Sequence, residues 1–139
     1  MTGPRLTAVA TALGLLALAA PSAAAHPRPA STGNWLNVAI FAGQTALVGR
    51  DSATLHCPDD GTRPGHPHAE QACADLTAAD GDVARITHQN GVCPMVYSAV
   101  TAKAYGVWNG QRVEYAKTFA NDCVMRSETG AVFDFTADR

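Results

Sequence analysis

The sequence carries no surplus of basic charge: 10 Lys and Arg stand against 12 Asp and Glu, a net −2. The cations are scattered, so no basic stripe is available to follow a phosphate backbone, and nucleic acid is not an expected partner. No apolar run reaches the roughly 20 residues that a membrane-spanning helix needs, and no stop-transfer charge cluster follows the longest one. A Gly-x-Ser-x-Gly elbow, a phosphate-cradling glycine loop and a close Cys-x-x-Cys pair are also missing. His26, His56 and His88 stand alone, His66 and His68 form a pair, and the carboxylates Asp59-Asp60 and Asp80/Asp82 sit in turn contexts. No catalytic constellation emerges, so the expectation is a protein that is not an enzyme and uses no cofactor.

What is present begins with an export signal. Arg5 precedes an apolar run over residues 6–20, and Pro21 and small residues follow, with Ala23-Ala24-Ala25 as a small-x-small cleavage site. Residues 1–25 are therefore expected to be a signal peptide and the protein to be secreted, with no membrane association. The remaining roughly 110 residues fit one domain with one modest core.

Four cysteines fall in that exported part: Cys57, Cys73, Cys93 and Cys123. An even count in a small secreted chain argues for two disulfides, for which the sequence permits three pairings. Pairing of neighbours would close two independent loops, each bridge contributing on the order of 3 to 4 kcal/mol by loop-closure entropy. A zinc site of Cys57, Cys73, His66 and His68 is the competing use, but the spacing is not that of common structural sites and export favours oxidation. The simpler reading of residues 58–67 is a solvated Pro/Gly loop with exposed histidines. Four paired cysteines leave no thiol nucleophile.

Residues 26–33, rich in Pro, Ser and Thr, read as an N-terminal arm, and residues 34–139 as the domain. Leu36, Val38 and Ile40 alternate with Asn37 and Ala39 at strand period from Trp35 onward. A second strand over 53–57 follows a polar turn at 49–52, and the two are expected to pair. Ala69, Ala72, Cys73 and Leu76 fall at helical spacing, with Pro67 near the start and Asp80-Gly81 at the stop, which predicts a helix over 68–79. Asp82 can cap a further turn over 83–86. Residues 98–108 and 111–120 flank Asn109-Gly110, a strong hairpin signal. In the second arm Val113, Tyr115 and Phe119 share one face, with Arg112, Glu114 and Thr118 on the other. A last strand is expected over 131–135. This order predicts an α+β domain, an antiparallel sheet with its helices grouped to one side.

Between these elements lies "GVCPMVYS", residues 91–98. Pro94 removes a ladder donor and fixes φ, so the run belongs at a sheet edge or in a loop. Beside Pro94, and anchored by a bridged Cys93, the Met95-Val96 peptide bond is expected in an extended segment of low entropy. A protease cleft binds a rigid extended peptide, and an unbranched methionine can fill a large apolar pocket. The alternative is that Met95, Val96 and Tyr97 are core residues entering a strand, with Pro94 its first residue.

Five motifs in order weigh on that choice: "ACADL" at 72–76, "CPMVY" at 93–97, "GVWNGQRVEY" at 106–115, "FANDC" at 119–123 and "VFDF" at 132–135. Together, over residues 35–135 and with all four cysteines, they resemble the Streptomyces subtilisin inhibitor family. The resemblance implies a secreted inhibitor of subtilisin-like serine proteases, with chymotrypsin-like enzymes as further candidates. It implies a five-stranded antiparallel sheet with two helices packed on one side, a homodimer, and the bridges Cys57–Cys73 and Cys93–Cys123. Carried onto this chain, Met95-Val96 is the scissile bond and Met95 enters the protease's primary pocket. Val92, Cys93, Pro94 and Tyr97 complete the contacting loop, and Asn121 matches an asparagine that braces it, its alternative being a turn residue. The chain departs from the family pattern in being about a residue shorter before "VCPMVY", where Asn90-Gly91 replaces acidic residues. Ser98-Ala99 stands where Asp-Pro is common, which is expected to loosen the leaving side of the loop. The rival reading is a non-inhibitory extracellular binding or accessory protein on the same scaffold.

Overall fold

In the computed structural model of the chain, residues 33–59 and 65–136 are described. The expected signal peptide, residues 26–32 of the expected arm and part of the 58–67 loop lie outside them. The elements are β1 (Asn34–Ala42), β2 (Val48–Cys57), α1 (Ala69–Ala78), β3 (Val100–Trp108), β4 (Gln111–Phe119) and α2 (Asp122–Thr129), with 3₁₀ turns at Val83–Arg85 and Gly130–Phe133. The strands form one antiparallel sheet in the order β2-β1-β3-β4.

Alternation along β1 sets the faces. Leu36, Val38 and Ile40 are buried, and Leu36 stands opposite Leu55 while Val38 and Ile40 stand opposite Ala104 and Ala102. Full burial of such a Leu or Val side chain contributes about 1.5 to 3 kcal/mol. Gly106 faces Leu36, and a Cβ there would lie 2.0 Å from the Trp35 carbonyl oxygen, so the close approach of β1 and β3 requires glycine. The β3–β4 hairpin turns at Asn109 and Gly110, both at positive φ (47° and 77°), as its sequence predicts.

Both helices contribute to the same core as this face, α1 through Ala69, Ala72, Cys73 and Leu76, and α2 through Met125. Helix α1 closes with Asp80 at φ 54° and with the Gly81 N–H donating to the Leu76 carbonyl at 2.8 Å, which satisfies a carbonyl left over at the helix end. The Asp82 carboxylate accepts from the Ala84 N–H at 2.9 Å and caps the next turn. The opposite face of the sheet, with Trp35, Asn37, Lys103 and Tyr105, is left open to varying degrees.

Three expectations are corrected. The first turn lies at residues 43–47 and β2 already begins at Val48, so the polar run at 49–52 is strand. A bulge between Ile40 and Phe41 absorbs Arg50, and an edge strand tolerates such polar residues because one side faces solvent. The expected strand over 131–135 is instead the 3₁₀ turn Gly130–Phe133, so among the described residues the sheet has four strands, not five. A short apolar run such as Ala131-Val132-Phe133 is buried equally well in either form. Here Asp75 Oδ2 accepts from the Ala131 N–H at 2.8 Å and holds the turn on α1. The third concerns His66, which is buried and not exposed: its Nε2 meets the Val132 carbonyl at 3.0 Å, and its Nδ1 accepts from the His68 N–H at 3.1 Å.

Cys57 is joined to Cys73 and Cys93 to Cys123. The first bridge ties the end of β2 to α1 and occupies both sulfurs of the competing zinc reading. The second joins the 87–99 segment to the first turn of α2.

Candidate functional site

Residues 87–99 form no helix or strand, yet they are held at several points. The Gln89 N–H donates to the Ser127 carbonyl at 2.8 Å, and Cys93 is bonded to Cys123. Downstream, the Ser98 N–H donates to the Ala120 carbonyl at 2.8 Å, and the Ala99 carbonyl accepts from the Gly43 N–H at 2.8 Å. These anchors come from α2, from the β4–α2 junction and from the turn between β1 and β2.

The central anchor is Asn121. It precedes α2 as its N-cap, where its Oδ1 accepts from the Val124 N–H at 3.0 Å. Its Nδ2 donates to the Pro94 carbonyl at 3.1 Å and to the Val96 carbonyl at 2.8 Å. One buried amide thus uses both of its donor hydrogens on the loop and its acceptor on the helix. The two gripped carbonyls stand on either side of Met95 in the chain.

Val92, Pro94, Met95, Val96 and Tyr97 are exposed, Met95 at 104% of its reference area, and Cys93 is half-buried. The reading of Met95, Val96 and Tyr97 as core residues entering a strand is therefore overturned: β3 begins only at Val100. Exposed large apolar side chains are uncommon among the described residues, and four of them share this one segment. Such clustering marks a contact surface for a partner.

Next to Asn121, the Asp122 carboxylate receives Arg50 Nη1 at 3.0 and 3.1 Å, which ties β2 to the start of α2. The Tyr97 hydroxyl is bonded to the Gln44 side-chain amide. Neither Arg50 nor Gln44 carries a local signal in the sequence, because each reaches its partner across more than 50 positions of chain. Tyr115 and His66, outside residues 87–99, have shifted titrations. Burial pushes the Tyr115 phenol up to about 12, with Glu128 and Asp82 adding to it, and burial holds His66 below its ordinary value despite its bond to Val132.

The subtilisin inhibitor-like family pattern matches residues 30–121. The chain is 39% identical over 120 residues to a subtilisin inhibitor of Streptomyces albogriseolus, covering 86% of this chain and 83% of that protein. It is 37% identical over 145 residues to kexstatin-1 of Streptomyces platensis, covering 97% and 98%. Among solved structures, Streptomyces caespitosus sermetstatin in complex with Bacillus licheniformis subtilisin matches with a TM-score of 0.57 and 32% identity, over 73% of this chain and 98% of that one.

Proposed function

Because the chain belongs to the subtilisin inhibitor-like family, we propose that it is a secreted inhibitor of subtilisin-like serine proteases which occupies the enzyme's active site with residues 92–97. Met95-Val96 is the scissile bond. The observation that carries this reading is the placement of Met95, fully exposed between two carbonyls that buried Asn121 grips. A side chain free for a pocket on a backbone already ordered loses little entropy on binding. The same apolar side chain also suits the pocket of a chymotrypsin-like enzyme.

The mechanism is that of a substrate which does not leave. The protease serine attacks the Met95 carbonyl carbon, the bond to Val96 nitrogen breaks, and the departing amine takes a proton from the enzyme's histidine. Cys93–Cys123 and Asn121 hold the two new ends side by side, so the amine remains at high effective concentration beside the acyl-enzyme. Attack by that amine reforms the peptide and frees the serine faster than water can hydrolyse the ester.

Residues 1–25 serve as the export signal, residues 26–33 as an arm and residues 34–139 as the inhibitory domain. Two copies associate through the open sheet face, where Trp35 and Tyr105 pack edge to face with ring centroids 6.4 Å apart. Such pairing leaves both loops free. Titrating subtilisin with purified protein tests the function: stoichiometric loss of activity is expected, whereas full activity at micromolar protein would return the chain to the non-inhibitory accessory reading.

A further inference from the structure

We propose that Gln44, in the turn between β1 and β2, is a positioning residue for the leaving side of the loop: it holds the Tyr97 side chain and so keeps the amine of Val96 beside the acyl-enzyme. This rests on Met95-Val96 being the scissile bond.

The two sides of that bond are held by different means. Upstream, Cys93 is covalently anchored, Pro94 has its φ fixed by its ring, and Asn121 grips the Pro94 carbonyl. Downstream, once the bond is cut, residues 96–99 form a new chain end with no disulfide and no proline before β3 begins at Val100. The Asn121 side chain holds the Val96 carbonyl, and backbone bonds act at Ser98 and Ala99. The bond from Gln44 adds a hold on a side chain of this segment, that of Tyr97, one residue from the new amine.

Gln44 is well placed to hold something. Its neighbour Gly43, at φ 76°, uses both of its peptide groups on the start of β3: its N–H donates to the Ala99 carbonyl at 2.8 Å, and its carbonyl accepts from Thr101 Oγ1 at 2.8 Å. Further along the hairpin, Arg50 is paired with Asp122, the residue before Cys123. The turn is therefore fastened both to the leaving side and to the helix that anchors the other side. In the free protein, water competes for the exposed Gln44–Tyr97 bond. Under a docked protease that competition falls, so the bond counts for most in the acyl-enzyme, where it matters.

The chemical balance locates the effect. In resealing, the Val96 nitrogen attacks the acyl carbon, the ester bond to the serine oxygen breaks, and the proton lost by the amine returns to that oxygen. In hydrolysis, water attacks instead and leaves Met95 as a free carboxylate. Gln44 takes part in neither step; it sets how often the amine is in position.

The test uses the full mature protein and subtilisin, with Gln44→Ala, Tyr97→Phe and the double variant. Melting temperature, association rate, and the ratio of cleaved to intact Met95-Val96 are measured, the last by mass spectrometry after prolonged incubation. Expected for Gln44→Ala are an unchanged melt and association rate, and a cleaved fraction raised roughly 3- to 10-fold, the range of one ordinary net hydrogen bond. Tyr97 lies in the contacting loop, so Tyr97→Phe serves as the background for the double variant, which should be cleaved no faster than Tyr97→Phe alone. Gln44→Glu, which can accept from the Tyr97 hydroxyl, should recover most of the loss. A wild-type cleavage ratio in Gln44→Ala, additive effects in the double variant, or a lowered melt as the sole change would each overturn the proposal. Failure of the underlying reading looks different: the unsubstituted protein itself would leave subtilisin active or be cut at another bond.

Discussion

The side-chain nitrogen of Asn121 lies 2.8 Å from the carbonyl oxygen of Val96, on the far side of the proposed scissile bond from Cys93. The same nitrogen reaches Pro94, so one residue bridges the bond, and its oxygen caps α2. Helix stability and loop rigidity are therefore coupled at a single side chain.

Substitution at Asn121 can separate the two roles. Asn121→Ser keeps a cap oxygen for the Val124 N–H but is too short to reach both loop carbonyls. Its melt should lie above that of Asn121→Ala, which loses the cap as well at a cost of about 1 kcal/mol, while both variants weaken inhibition and accelerate cleavage at Met95-Val96. Thermal melts alongside inhibition titrations distinguish the pair, and loss of inhibition without faster cleavage in Asn121→Ser would count against bracing.

Met95→Lys should transfer inhibition toward trypsin-like enzymes, whose pocket carries a buried aspartate. The side chain is fully exposed in the free protein, so the charge is not buried there and the melt should be unchanged. A core methionine would behave oppositely, losing several kcal/mol to an unpaired buried charge. Measuring the melt and trypsin inhibition on one variant decides between them.

Removing Cys93–Cys123 with paired serines should cost on the order of 3 to 4 kcal/mol and turn the inhibitor into a substrate that is cleaved through. Removing Cys57–Cys73 should cost a similar stability but spare the loop, since that bridge joins β2 to α1. Comparable cleavage of both variants at a temperature where both remain folded would contradict this division.

Stability should fall on the acid side of neutrality through His66. Burial holds this imidazole below its ordinary 6.5, the Val132 carbonyl and Asp134 oppose that, and His68 adds to it. The folded state thus prefers the neutral ring, whose Nδ1 accepts from the His68 N–H. The resulting stability is fully present above about pH 6.5 and is lost as pH falls through the lowered folded value. Melts from pH 8 to 4 should show a decline that His66→Gln reduces.

The open sheet face should carry the dimer. Tyr105→Glu places a charge there, and sedimentation should shift toward monomer at micromolar concentration while each copy still inhibits one protease. A monomeric parent protein at that concentration would remove the basis for the proposal.

Features whose cause is local are legible along the chain. Alternation in β1, helical spacing in α1, the Asp82 cap and the Asn109-Gly110 turn all appear where residues 35–40, 68–79, 82 and 109–110 place them, because each depends on neighbours within a few positions. The motif around Met95 likewise marked the loop, since proline beside a cysteine is incompatible with a central strand. Features that depend on distant partners take shape when the fold brings those partners together. Helix α2 buries little beyond Met125 and Thr129, too sparse a stripe to read, and it is anchored by a cap and a disulfide. Residues 131–133 are as apolar as a strand, and the Asp75 carboxylate on α1 selects the 3₁₀ turn. His66 is buried because Val132 and Phe135 come to it across the fold. Gln44 and Arg50 meet Tyr97 and Asp122 only because the bulge at Ile40 and Phe41 and the β2-β1-β3-β4 order carry the first hairpin to the loop. Short-range sterics and patterning are written along the chain, whereas the choice between equally apolar conformations, and the partners of an exposed polar side chain, exist only once the chain has closed on itself.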